Sequence, residues 1–179
     1  MTRTERTVAI TVIAAMIALE IILNRFVSIN TEAVRIGIDF LPIIIVAMLY
    51  GPIWAAAAYA IGDTIGALLF PFGPINPGIT LTLAIIGLVY GLFLYGHDLS
   101  GRRLVINAII ASFICAVPVK LFLTTFFLSL AYGTPYTVLL ISRIPTCTIF
   151  LAMQIVLIPL AYKLIVRKLP IYRAGSSSV

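Results

Sequence analysis

Residues 38–70 read IDFLPIIIVAMLYGPIWAAAAYAIGDTIGALLF, two apolar runs, Ile38–Tyr50 and Ile53–Phe70, parted only by Gly51-Pro52. A Gly-Pro pair is a turn signal, so the chain is expected to reverse there. The second run is long enough to cross the ~30 Å hydrocarbon core of a bilayer as a helix, whereas runs of about 10–14 apolar residues more often form buried or re-entrant pieces. Whether the first run crosses decides the topology of everything that follows it.

Working outward, four further apolar blocks lie at about Val8–Ser28, Ile79–Tyr95, Leu104–Leu130 and Val138–Val166. They are separated by Pro71-Phe72-Gly73-Pro74-Ile75-Asn76-Pro77-Gly78 and by Gly133-Thr134-Pro135. The 179 residues are 62% hydrophobic and 10% charged, with a mean hydropathy of +1.18. Soluble domains carry about 25% charged residues, and disordered chains are apolar-poor, so both classes are excluded. This is the composition of an all-α integral membrane protein.

Charge placement decides the short run. If it crosses, there are six spans, and Arg3, Arg6, Arg102, Arg103, Lys163, Arg167, Lys168 and Arg173 share one side while the opposite loops hold only Arg35. That is the positive-inside pattern, and it breaks if the run does not cross. The reading is one six-helix domain over 1–173, with spans at about 8–28, 38–50, 53–70, 79–95, 104–130 and 138–166. Both termini are expected to be cytoplasmic in a multi-pass protein of the cell membrane. Residues 174–179, AGSSSV, read as a disordered tail or an appended scar. The net charge of +6 is then a consequence of topology and gives no support to nucleic-acid binding. Block 8–28 has a basic start like a signal peptide, but Glu20 interrupts it and no exported polar domain follows, so cleavage is not expected.

Five ionisable residues stand well inside spans, away from the span ends: Arg25, Lys120, Arg143, Glu20 and Asp63. Such groups cost several kcal/mol in hydrocarbon and mark functional sites by default. At 1.5 Å per residue, Arg25, Lys120, Arg143 and Asp63 fall at a similar depth on four different helices, toward the outer face. A converging cluster is the economical reading; structural ion pairs, for instance Glu20 or Asp63 with Arg25, are the alternative. Glu20 has Asn24 at i+4 and is suited to a local hydrogen bond. Pro145 is expected to free the Ile141 carbonyl one turn from Arg143. The Phe70–Gly78 loop, with Phe70 and the amide of Asn76, and Tyr132 and Tyr136 in the last outer loop, add aromatic and polar groups above the cluster, as in a small-molecule site. Interfacial aromatics are the other reading of those rings. Together these residues describe a pocket for a ligand with an aromatic, hydrogen-bonding end and an anionic end. Two or three charge-assisted hydrogen bonds would be worth roughly 1.5–3 kcal/mol each, and Asp63 is suited to accept from an amino-heterocycle.

Catalytic chemistry is missing. There is no HExxH and no Ser/His/Asp set, and the one histidine is His97. Gly91 and Gly96 have the glycine spacing of a phosphate loop, but His97-Asp98 stands where Lys-Ser/Thr is required. The chain reads as a non-enzyme with no ATPase, metal or cofactor of its own. Cys115 and Cys147 lie in apolar stretches and read as packing thiols. Three stripes of small residues permit close helix approach: Ala14 and Ala18; Ala58, Gly62 and Gly66; Gly87 and Gly91. At most one is expected to serve a partner.

Over essentially its whole length the chain resembles an S component, the substrate-binding subunit of an energy-coupling factor (ECF) vitamin transporter, and most of all the folate-specific members. The segments that carry the likeness are Arg35-Ile-Gly-Ile-Asp-Phe-Leu-Pro42, Met48-Leu-Tyr-Gly-Pro52, Asp63-Thr-Ile-Gly-Ala-Leu-Leu-Phe-Pro71, Gly73-Pro-Ile-Asn-Pro-Gly-Ile-Thr80 and Ser142-Arg-Ile-Pro145. The resemblance implies high-affinity folate capture from outside, and folate also fits the pocket read independently from the residues, with Arg25, Asp63, Phe70, Asn76, Lys120, Tyr136 and Arg143 as binding candidates. It also implies docking through Ala14 and Ala18 onto a transmembrane coupling subunit (T component), two cytoplasmic ATPases as further partners, and reorientation in the bilayer to release the ligand inside. The competing readings are an S component for another heterocyclic vitamin or precursor, an enzyme acting on an anionic lipid, and a membrane assembly protein with buried structural charges.

Overall fold

The structure, a computed structural model, describes residues 3–30, 35–70, 76–96 and 102–164. The tail 174–179, the basic residues Arg167, Lys168 and Arg173, His97, and residues 71–75 of the Phe70–Gly78 loop lie outside the described residues. Helix α1 (Arg3–Ile22) continues into a π-helical turn, Leu23–Val27. A two-residue antiparallel ribbon follows, β1 (Ile29–Asn30) with β2 (Arg35–Ile36). Next come α2 (Phe40–Tyr50), α3 (Pro52–Leu69) and α4 (Pro77–Leu94). Helix α5 (Arg102–Ile114), a π-helical segment Cys115–Leu123 and α6 (Thr124–Tyr132) form one rod of 31 residues. Helix α7 (Tyr136–Leu164) closes the bundle and runs through Pro145 and Pro159 without ending.

Five of these rods are long and apolar enough to cross a membrane. Helix α2 has only 11 residues, a rise of ~16 Å, against 18 residues in its neighbour α3. It is the centre of the bundle. Phe40 and every residue from Pro42 to Met48 are buried, because α1, α3, α4 and α7 all pack on it. That position explains why its sequence is apolar on every face rather than striped. The turn after α2 is Gly51 with φ 93°, followed by Pro52 at the first position of α3; the pair stops one helix and starts the next.

The end of the bundle where α1 and α3 finish is called upper, the end where α2 and α4 finish lower. Gly51 lies against the Tyr95 ring at the end of α4, so α2 reaches the lower end but, being short, begins well below the upper one. The most extensive helix pair is α3 with α4. A Cβ on Gly87 would stand 2.6 Å from the Ala55 carbonyl oxygen, and one on Gly91 would overlap the Pro52 backbone.

Polarity is inverted relative to a water-soluble bundle. Ile53, Phe26, Leu68, Leu130, Ile141 and Val156 are all exposed, while Glu20, Asn24, Ser112, Thr125 and Gln154 are buried. With no water in the bilayer core, polar groups are driven inward. The three stripes of small residues separate in the same way. Ala58, Gly62, Gly66, Gly87 and Gly91 are buried between helices, whereas Ala14 and Ala18 are exposed.

Candidate ligand site

The upper end holds the sequence-predicted residues in two groups. The first lies where α1, α3 and α4 meet. The π turn Leu23–Val27 widens the end of α1; Asn24 Nδ2 donates to Glu20 Oε1 at 2.9 Å, the i+4 bond expected from sequence. Glu20 is completely buried, its carboxylate set against Gly62, where a Cβ would overlap it. Arg25 lies against Gly66, and its Nη1 donates to the Phe70 carbonyl at 2.8 Å. Phe70 is the C-cap of α3, so a guanidinium there meets the negative end of the helix dipole. The Phe70 ring stacks edge-on with Phe26, centroids 5.4 Å apart, and both rings are exposed.

Asp63, about two turns below Phe70, is buried and accepts a hydrogen bond from Thr80 Oγ1 at 2.7 Å. Asn76 is also engaged by the protein. Its Oδ1 accepts from the Gly78 backbone at 2.9 Å as the N-cap of α4, and its Nδ2 donates to the Phe127 carbonyl at 2.9 Å. The amide thus ties the start of α4 to α6.

The second group belongs to the π segment Cys115–Leu123 and α7. Pro118 lies inside that segment, and a proline cannot donate the helical hydrogen bond; the wider π turns carry the chain past it. Lys120 emerges two residues later with Nζ 3.1 Å from the centroid of the Phe150 ring, a cation–π contact. Phe150 meets Phe40 edge-on at 5.2 Å. Cys147 lies within electrostatic reach of both Lys120 and Arg143. Arg143 Nη1 is buried and has no hydrogen-bond partner among the described residues. Burying a guanidinium nitrogen without an acceptor is costly. Tyr136, half-buried, starts α7 above it.

The head of α2 touches both groups. Phe40 reaches Phe150, and Tyr59 Oη on α3 approaches Asp39 Oδ2 at 3.5 Å. Sequence reasoning did not single out Phe40, Asp39, Tyr59, Thr80 or Phe150. Tyr59 with Asp63 at i+4, and Phe150 beside Cys147, were the available signals. Helix α2 fills the centre of the bundle only from Phe40 downward.

Residues 8–162 match the family described as ECF transporter, substrate-specific component. The chain belongs to this family. As an S component it is a transport subunit rather than an enzyme. Among curated relatives, the folate transporter FolT of Clostridium novyi (strain NT) is 34% identical over 154 residues, 86% of this chain and 87% of that protein. The FolT of Leuconostoc mesenteroides subsp. mesenteroides is 33% identical over 86 residues, 48% of this chain and 46% of that one. Among solved structures, FolT bound with folic acid superposes with a TM-score of 0.79 at 28% identity, covering 91% of this chain and 95% of that chain.

Proposed function

We propose that this S component binds folate in the upper half of the bundle. The observation that carries the reading is the likeness to FolT along nearly the whole chain, in sequence and in fold. The chemistry of the site supports it. Folate has a flat amino-heterocycle at one end and two carboxylates at the other. Lys120 and Arg143 are suited to the carboxylates, and the buried Nη1 of Arg143 would gain the acceptor it lacks. Asp63, held by Thr80, with Phe70 and Tyr136 toward the rim, is suited to the heterocycle. Arg25 and Asn76 then act mainly by fixing the walls, through the Phe70 carbonyl and the start of α4.

In this reading the upper end faces outside, both termini are cytoplasmic, and 1–173 forms the membrane domain. The chain needs no cofactor. It delivers folate inward with a T component and two ATPases, docking through Ala14 and Ala18, the one exposed stripe of the three. The test is calorimetric titration of the ligand-free protein with folic acid, thiamine and riboflavin. Tight one-to-one binding of folic acid alone is expected. Heat with another vitamin instead would keep the transport class and discard the specificity; silence with all three would return the buried charges to a structural role. Trp54, the only tryptophan, stands half-exposed near the start of α3, at the opposite end, which makes calorimetry the better readout than its fluorescence.

A further inference from the structure

Below the aromatic floor formed by Phe40 and Phe150 lies a second polar group that the folate reading does not use. Tyr90 on α4, Ser112 on α5 and Gln154 on α7 are each fully buried. Gln154 is one helical turn below Phe150 on α7, and Cys115, which flanks the group, is one π turn from Lys120. Ser112, Cys115 and Gln154 converge on the Tyr90 phenol. These side chains are within hydrogen-bonding reach of one another, yet the Tyr90 hydroxyl, the Ser112 hydroxyl and both ends of the Gln154 amide complete no well-formed hydrogen bond among the described residues. Cys115 turns its thiol toward the Ile86 carbonyl, 3.9 Å away.

Four buried polar atoms without a well-formed hydrogen bond, at one point in a membrane bundle, need an explanation. Each is expensive to leave unmade, and native interiors rarely tolerate several together. The group offers donors and acceptors in similar number and carries no formal charge, so its complement is neutral and small. Buried water typically makes about three hydrogen bonds to otherwise unsatisfied groups, and three side chains from three helices supply that number. We propose that at least one resident water molecule occupies this point and joins Tyr90, Ser112 and Gln154. Helices α4 and α7 are not among the principal packing pairs of the bundle; the water-bridged node ties them across the core, directly beneath the residues assigned to the ligand.

The sign of a substitution tests it. If the node is hydrated, Tyr90→Phe and Ser112→Ala each remove a bond to the water and lower the thermal midpoint of the detergent-solubilised protein, by roughly 2–4 °C if each loss is near 1 kcal/mol. The two losses are then coupled, with the double variant losing less than their sum. If the node is dry, deleting an unsatisfied hydroxyl removes a cost, and both variants raise the midpoint; that result overturns the proposal. Gln154→Met, of similar length, repeats the test from α7. A high-resolution crystal structure gives the direct readout. Ordered density within hydrogen-bond distance of Tyr90 Oη and Gln154 is expected, whereas direct Tyr90–Gln154 and Tyr90–Ser112 bonds with nothing between them would sink it.

Discussion

The two groups of charged side chains at the upper end are alike in sequence and unlike in structure. Along the α1–α3–α4 seam, polar groups meet protein partners: Asn24 meets Glu20, Arg25 the Phe70 carbonyl, Asp63 the Thr80 hydroxyl, and Asn76 both Gly78 and Phe127. Across the bundle, Arg143 keeps a buried nitrogen with no hydrogen bond among the described residues, and Lys120 lies on the face of an aromatic ring. In the reading proposed above, the hydrogen-bonded seam serves mainly as scaffold, and the open hydrogen-bonding capacity of Arg143 Nη1 serves the ligand.

The largest expected effect follows from that assignment. Arg143→Ala should weaken folate binding by about 2–5 kcal/mol, the range for truncating one member of a buried charge pair, which is roughly thirty-fold to several thousand-fold in Kd. Its thermal midpoint without ligand should change little. Arg25→Ala should show the opposite balance, with a lower midpoint from the lost cap on α3 and a smaller change in affinity. Calorimetry and thermal unfolding on both variants decide the matter. Equal affinity losses at unchanged stability would merge the two groups into one site.

The next effect, on stability, probes the close approach within the first seam. Gly62→Ala places a methyl group where the buried Glu20 carboxylate now lies. Overpacking of this kind typically costs about 1–3 kcal/mol, read as a lower thermal midpoint, while folate affinity of the folded fraction should stay near that of the parent. A large affinity loss with an unchanged midpoint would move Glu20 from scaffold to ligand site. A smaller change is expected for Asn76→Ala, ~1 kcal/mol of stability for a lost N-cap, with affinity nearly unchanged. A steep fall in affinity there would instead make Asn76 a direct ligand contact.

Much of this architecture was legible in the chain. The apolar blocks locate the five long rods to within a few residues at each end, because a membrane helix advertises itself by length and hydropathy together. The i+4 pairing of Glu20 with Asn24 was legible for the same reason, being local. Helix α2 was legible only indirectly: its length argued against a full crossing, charge balance argued for one, and the bundle reconciles the two by placing a short helix at its centre. The π turns at Leu23–Val27 and Cys115–Leu123 were not legible: Pro118 signals a disturbed helix in the second, but neither stretch shows that the chain answers with wider turns. Those turns set which way Arg25 and Lys120 face, so the division of the cations into two groups was beyond reach as well. The N-cap role of Asn76 had a local signature, an Asn before Pro77-Gly78, but its second bond to Phe127 joins positions 51 residues apart.

Ala14 and Ala18 sharpen the comparison from outside. Both belong to the helix that builds the scaffold seam, yet they point away from it and are exposed, whereas the small residues of α3 and α4 are consumed by internal packing. Surface substitutions away from special features usually change stability by less than ~0.5 kcal/mol. Ala14→Leu and Ala18→Leu should therefore leave the thermal midpoint and folate affinity of the isolated protein essentially where they are. In cells carrying the coupling subunits, the same variants should abolish folate uptake, because a leucine prevents the close backbone approach that small residues permit between membrane helices. Uptake measured beside calorimetry separates the possibilities. Lost binding would mean that this face of α1 supports the fold, and retained uptake would move the docking surface elsewhere. Among these substitutions this is the one expected to leave the isolated molecule unchanged, so the loss of transport would belong to the partner interface alone.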